Sequence, residues 1–247
     1  YDQECLNGKA SAIIKENDRL MAQGAKIPKV HSLFFADGRY FELQNAAEGD
    51  IISVLNLENF GRRVLKTVDK ISPKEYKELF KKSLFEYNLK QQKLMLNLPQ
   101  EKFDELFNTY KILNDNFYGD YDSHSENVLV SEKGFMVVDI DYDQMIFNTT
   151  KRSLLSLYNK FLRPFSNATV HTNFLTNNQI ETLQTNNVEI LKKLVTTASN
   201  NNIALYNDDS FIKNTAPFIV GDKNWKNYCG YILEPQRDLL FKELNRR

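Results

Sequence analysis

The chain is poor in the residues that usually point to a function. Among its 247 residues are two cysteines, Cys5 and Cys229, with no metal-like spacing, and three histidines, His31, His124 and His171, that do not cluster. A zinc site is therefore not expected; the cysteines read as ordinary thiols, with a disulfide left open. Lysine plus arginine equal aspartate plus glutamate at 32 each, so the formal net charge is zero. Binding a phosphate backbone usually needs a basic surface, so nucleic acid is not an expected partner, although a local basic groove is not excluded. No apolar run approaches the roughly 20 residues that cross a bilayer, so no membrane span is expected. Neither a signal peptide, an internal repeat, a low-complexity linker nor a glycine-rich phosphate loop is visible. The length suits one large domain or two small lobes.

What is present is patterned. Ala10, Ile13, Ile14, Leu20 and Met21 recur at helical spacing and predict a helix over 8–23 that Gly24 ends. "VHSLFFADGRYFELQ" is two apolar runs joined by Asp37-Gly38, a hairpin signal. Helices are predicted over 73–95, with Pro73 in the first turn, and over 99–117, with Phe103, Leu106, Phe107, Tyr110 and Leu113 on one face. Two short strands, 127–130 and 135–139, are joined by "SEKG". Beyond residue 150 the pattern is helical, most clearly over 151–163 and 178–200, with a further helix expected over 234–246.

The hairpin of short strands carries an unusual set of polar residues. Asp122 precedes Asn127 by five positions, and Asp139 follows Asn127 by twelve, at the end of the second strand. A hairpin brings its open ends together, so Asn127 and Asp139 are expected to be neighbours. An amide oxygen beside a carboxylate suits a hard cation such as Mg²⁺. Asp122, on the preceding loop, is placed to accept a proton from an attacking hydroxyl. Phosphoryl transfer needs both: a metal against the phosphate charge and a carboxylate to orient the nucleophile. Singly, each acid reads as well as a solvated turn residue.

On these residues the chain resembles the protein kinase superfamily, and within it the aminoglycoside phosphotransferase and choline kinase branch. The kinase pattern H-R-D-x-x-x-x-N, followed one hairpin later by a metal-binding aspartate, is matched by Asp120-Tyr121-Asp122, Asn127 and Asp139-Ile140-Asp141. "DSHSENVLV" is similar to that branch's D-L-H-P-G-N-I-L, and "VVDIDYD" to its I-D-F-E-Y or I-D-F-D. Upstream, "KENDRLMAQGAKIPKV" resembles the branch's small-lobe helix and following strand, and "YFELQNAAEGDII" its strand, hinge and E-G-x-x-L turn. The likeness covers roughly residues 10 to 145.

The resemblance implies an α+β, bilobal protein-kinase-like fold. Residues 1–46 would be the remainder of a small β-rich lobe, with helix, hairpin and hinge, and 47–247 a large, mainly helical lobe carrying the catalytic hairpin. It implies ATP and Mg²⁺ as cofactors and transfer of the γ-phosphate to a hydroxyl, of a small molecule or of a protein. Asp122 would be the catalytic base and His124 would contact the γ-phosphate. Asn127 and Asp139 would hold metal, and Asp141 a second ion. Glu16 would pair with the ATP-binding lysine, and the backbone of Leu43, Gln44 and Asn45 would hold adenine. A cytoplasmic location follows, or a host cytosol if the chain is a bacterial effector kinase.

Two departures from the pattern stand out. Asp120 occupies the place of the usual histidine. No V-A-I-K lysine precedes Glu16 at normal spacing: the glycine-rich loop and that lysine either lie upstream of residue 1 or are lost. The second case gives a degenerate pseudokinase that binds without catalysing; an unrelated helical domain is the third reading. Acceptor sites in the branch lie in the helical C-terminal part, which is aromatic here (Tyr158, Phe161, Phe165, Phe174, Trp225, Tyr228, Tyr231), although core packing accounts for those residues more simply.

Overall fold

The computed structural model describes residues 3–36, 39–52, 73–118, 127–140, 142, 151–166 and 175–203. In chain order these form helix α1 (Gln3–Ala22), strands β1 (Val30–Ala36), β2 (Arg39–Gln44) and β3 (Asp50–Ile51), helices α2 (Pro73–Asn97) and α3 (Gln100–Asp115), strands β4 (Val128–Ser131) and β5 (Gly134–Val137), and helices α4 (Leu154–Ser166) and α5 (Asn177–Asn200). The class is α+β. The helix expected over 234–246 lies outside the described residues.

Helix ends follow local chemistry. After α1 the chain turns left-handed at Gly24 (φ 101°), with Gly24 N–H donating to the Met21 carbonyl and Ala25 N–H to that of Leu20. This double closure satisfies carbonyls that the helix leaves open, and glycine adopts it without strain. After α3 the same closure is made by Phe117 (φ 68°), with Phe117 N–H on Asn114 and Tyr118 N–H on Leu113. A side chain there costs about 1–2 kcal/mol relative to right-handed backbone. At the start of α5, Thr176 and Gln179 cap each other reciprocally.

The strands make two antiparallel sheets. In one, β1 pairs with β2 from Ala36↔Arg39 to Val30↔Gln44, as in the expected hairpin; Asp37-Gly38 lies outside the described residues. In the other, the order is β3-β4-β5, with Val128↔Val137 at the open end and Ser131↔Gly134 at the turn. Strand β3 is an addition to the expected hairpin: its two residues pair with Val130 and Leu129, and α2 holds them from outside. Tyr87 donates its hydroxyl to the Ile51 carbonyl at 2.6 Å, and Lys90 meets Asp50 at 2.6 Å. The Lys90 hydrogen bond holds the Asp50 carboxyl below its ordinary value.

Gly49 makes this third strand possible. Its φ is 115°, and a Cβ there would meet the Val130 carbonyl oxygen at 2.6 Å, which is backbone and cannot swing aside. Gly49→Ala is expected to cost about 3 kcal/mol in urea unfolding, from steric clash plus left-handed strain. A loss below about 1 kcal/mol would show that the β3 edge yields freely.

One core joins all of this. The predicted face of α3 (Phe103, Leu106, Phe107, Tyr110 and Leu113) is buried against α4, α5 and the hairpin, and Leu20, Ala25 and Ile27 enter the same cluster from the N-terminal segment. Phe103 meets Phe135 edge-on at 5.0 Å, and Phe107 meets Phe161 at 5.3 Å. Tyr158, Phe161 and Phe165 are fully buried here, with the Tyr158 hydroxyl donating to the Leu194 carbonyl. They are core, not the lining of an acceptor site; Phe174, Trp225, Tyr228 and Tyr231 lie outside the described residues. Lys193 closes the end of α2 by donating to the Leu96 and Leu98 carbonyls, its ammonium 5.4 Å above Phe103, and burial lowers its pKa.

Candidate functional site

The open end of β4–β5 is where two of the expected donors, Asn127 and Asp139, are placed. Val128 faces Val137, and Val138 N–H donates to the Asn127 carbonyl at 2.9 Å. Asn127 and Asp139 therefore flank the same strand pair. The chain enters and leaves the sheet there because apolar Val128, Val130 and Val137 are drawn into the core, which leaves the polar residues at the rim. Asn127 is buried and Asp139 is exposed.

Asp139 has left-handed backbone, φ 61°. Aspartate is among the few residues that enter this region readily, yet it still costs energy that the surroundings must supply. Such positions cluster where a side chain has to be aimed. Together the pair offers one amide oxygen and one carboxylate, both hard donors that suit Mg²⁺, with the remaining ligands left to water and phosphate. No group of three or more histidines, cysteines, aspartates or glutamates suited to a metal occurs among the described residues. Asp122, His124 and Asp141, three of the residues expected at this site, lie outside the described residues.

The other expected residues are placed as follows. Glu16 lies on α1, and its carboxylate is taken in a two-point pair by Arg19, Nε to Oε2 at 2.7 Å and Nη2 to Oε1 at 2.5 Å. Its charge, after burial, is the next largest influence raising the Tyr118 phenol. Leu43 and Gln44 end β2, with Leu43 exposed. Asn45 is not an open donor: its N–H already donates to the Lys29 carbonyl at 2.9 Å, and its side-chain oxygen accepts from His31 Nε2 at 2.5 Å. Extension of the β1–β2 ladder by one more rung is the reason.

The residue that ties these parts together is Asn17, next to Glu16 and fully buried. Its Oδ1 accepts from Val30 N–H at 2.9 Å. Its Nδ2 donates to the Pro28 carbonyl at 2.9 Å and to the Tyr142 hydroxyl at 2.7 Å. Tyr142 lies three residues past Asp139 and packs edge-on against Tyr118 at 5.9 Å. Burial pushes the Tyr142 phenol up to about 12, so it stays protonated at neutral pH. One amide thus holds the helix, the first strand and the exit from β5 in register. A signal for it exists in the sequence: Asn17 interrupts the apolar stripe of Ile13, Ile14, Leu20 and Met21 at a position that should be apolar.

Among the described residues, no helix is long and apolar enough to cross a membrane. No family model matches the chain, and neither a curated protein nor a solved structure matches it.

Proposed function

We propose that this chain is an ATP- and Mg²⁺-dependent phosphotransferase that moves the γ-phosphate to a hydroxyl of a small molecule or a protein, on a bilobal kinase-like fold and in a cytosol. The observation that supports this reading is the placement, at one hairpin end, of the buried Asn127 and of Asp139 in left-handed backbone. Asn127 and Asp139 would hold Mg²⁺, with Asp141 toward a second ion. When bound, the metal offsets the negative charge of the phosphates. Asp122 takes the proton of the acceptor hydroxyl, and His124 contacts the γ-phosphate. Adenine rests on the β2 end at Leu43 and Gln44, without the N–H of Asn45.

A second reading, the pseudokinase, is favoured by the Glu16–Arg19 pair. A carboxylate already held by a guanidinium at two points has less to offer a nucleotide-binding lysine. One experiment separates the two: the protein is incubated with γ-labelled ATP, Mg²⁺ and a cell lysate, with and without EDTA, and the protein and small-molecule fractions are counted. Label transfer above that of the lysate alone, abolished by EDTA and lost when Asp122→Asn replaces the wild type, is expected. A rise in unfolding midpoint with Mg·ATP but no transfer would favour the pseudokinase, and neither signal would sink both.

A further inference from the structure

The other end of the same hairpin lines a cleft. Its volume is about 370 Å³, within the range of small-molecule sites. Its walls are the segment Lys26–Lys29 after α1, the segment Asn45–Glu48 after β2, the α3 face bearing Lys102 and Glu105, and the β4–β5 turn. The turn and the open end are separated by the length of the strands, about 10 Å. This cleft is therefore not the Asn127–Asp139 site.

Two features give the cleft a chemical preference. The first is charge. Four lysines from three separate segments converge on it, Lys26, Lys29, Lys102 and Lys133, against two acids, Glu48 and Glu105, in a chain whose net charge is zero. Both acids are already engaged, Glu48 by Lys133 at 2.6 Å and Glu105 by Lys102 at 3.0 Å. Lys29 reaches Asp18 only at 3.4 Å, with both side chains about half exposed. Lys26 has no acidic partner among the described residues. The positive surplus thus sits on Lys26, with Lys29 beside it held only by an exposed, solvent-screened pair to Asp18. The second feature is the apolar lining: Met21, Ile27, Phe135 and Met136 contribute to the same walls.

The walls are also preformed. The Lys26 main chain is fixed on both sides, its N–H on the Thr109 hydroxyl at 3.0 Å and its carbonyl on Val137 N–H at 2.9 Å. The Lys29 carbonyl is fixed by Asn45 N–H. The Lys102 stem lies across Gly134, where a Cβ would come within 3.0 Å. A ligand entering here would have little backbone left to order, which favours affinity.

We propose that this cleft binds a small anion with an apolar body: the body against Met21, Ile27, Phe135 and Met136, and a single carboxylate, sulfonate or phosphate group at Lys26 and Lys29. The proposal is independent of phosphotransfer. It is tested by fluorescence titration of the whole protein with 8-anilinonaphthalene-1-sulfonate. Control titrations use the uncharged N-phenyl-1-naphthylamine, which has the body alone, and inorganic phosphate as competitor, which has the charge alone. One saturable site for the sulfonate is expected, with weaker binding of the neutral probe and no competition by millimolar phosphate. Lys26→Gln with Lys29→Gln, both on the surface and so compatible with folding, should weaken the sulfonate by about tenfold or more. Met136→Gln should weaken both probes, and Lys26→Arg should restore binding. Asp139→Asn should bind as the wild type does. Unchanged affinity in the double lysine variant would overturn the proposal, as would displacement by Mg·ATP or the absence of a saturable site.

Discussion

On the proposed phosphotransfer, Asp139→Asn is expected to lower the rate by about 100- to 1000-fold, the scale of losing one charge that stabilises a transition state. The variant isolates the charge. Asparagine tolerates left-handed backbone about as well as aspartate does, so the φ of 61° is kept and the fold with it. Asp139→Ala would add backbone strain and blur the reading. Asp122→Asn is expected to cost about 10²- to 10⁴-fold, the range for a general base. The two are told apart by metal titration: the Asp139 variant should need more Mg²⁺ to reach its residual rate, and the Asp122 variant should not. Wild-type transfer in Asp139→Asn, with an unchanged unfolding midpoint, would remove that residue from the site.

The largest stability loss is expected at Asn17. Asn17→Leu keeps the volume but leaves Val30 N–H, the Pro28 carbonyl and the Tyr142 hydroxyl without their partner. Orphaned buried polar groups cost roughly 1–3 kcal/mol each, so a loss of about 3–5 kcal/mol is expected in urea unfolding. Tyr142→Phe removes one acceptor from the same network and should cost about 1 kcal/mol. If the two variants lose equal stability, the amide is not the hub, and the registration of α1 against the segment after β5 must come from packing alone.

Much of the architecture was legible because it rests on local chemistry. The stripe of Phe103, Leu106, Phe107, Tyr110 and Leu113 marks α3 and its buried face, since a helix repeats every 3.6 residues whatever surrounds it. Gly24 marks the end of α1 because a left-handed closure favours glycine. The β4–β5 hairpin, and with it the neighbourhood of Asn127 and Asp139, follows from strand length and turn position. Phe117 shows the limit of the same rule. It makes the closure that Gly24 makes, but no residue preference marks it.

Long-range pairing is what the sequence could not show. Strand β3 is two residues long, too short for any period, and forms only because Gly49 lets the chain pass close to Val130. The Glu16–Arg19 pair and the spent N–H of Asn45 show that a motif names residues without saying what else competes for them. By itself the sequence determined the described helices and the two hairpins, because each depends on neighbours a few residues away. Only the tertiary structure decided that Asn17 joins Tyr142 across 125 positions, and that lysines from three segments share one cleft. Those contacts join residues far apart in the chain, and no local pattern records which distant segments will meet.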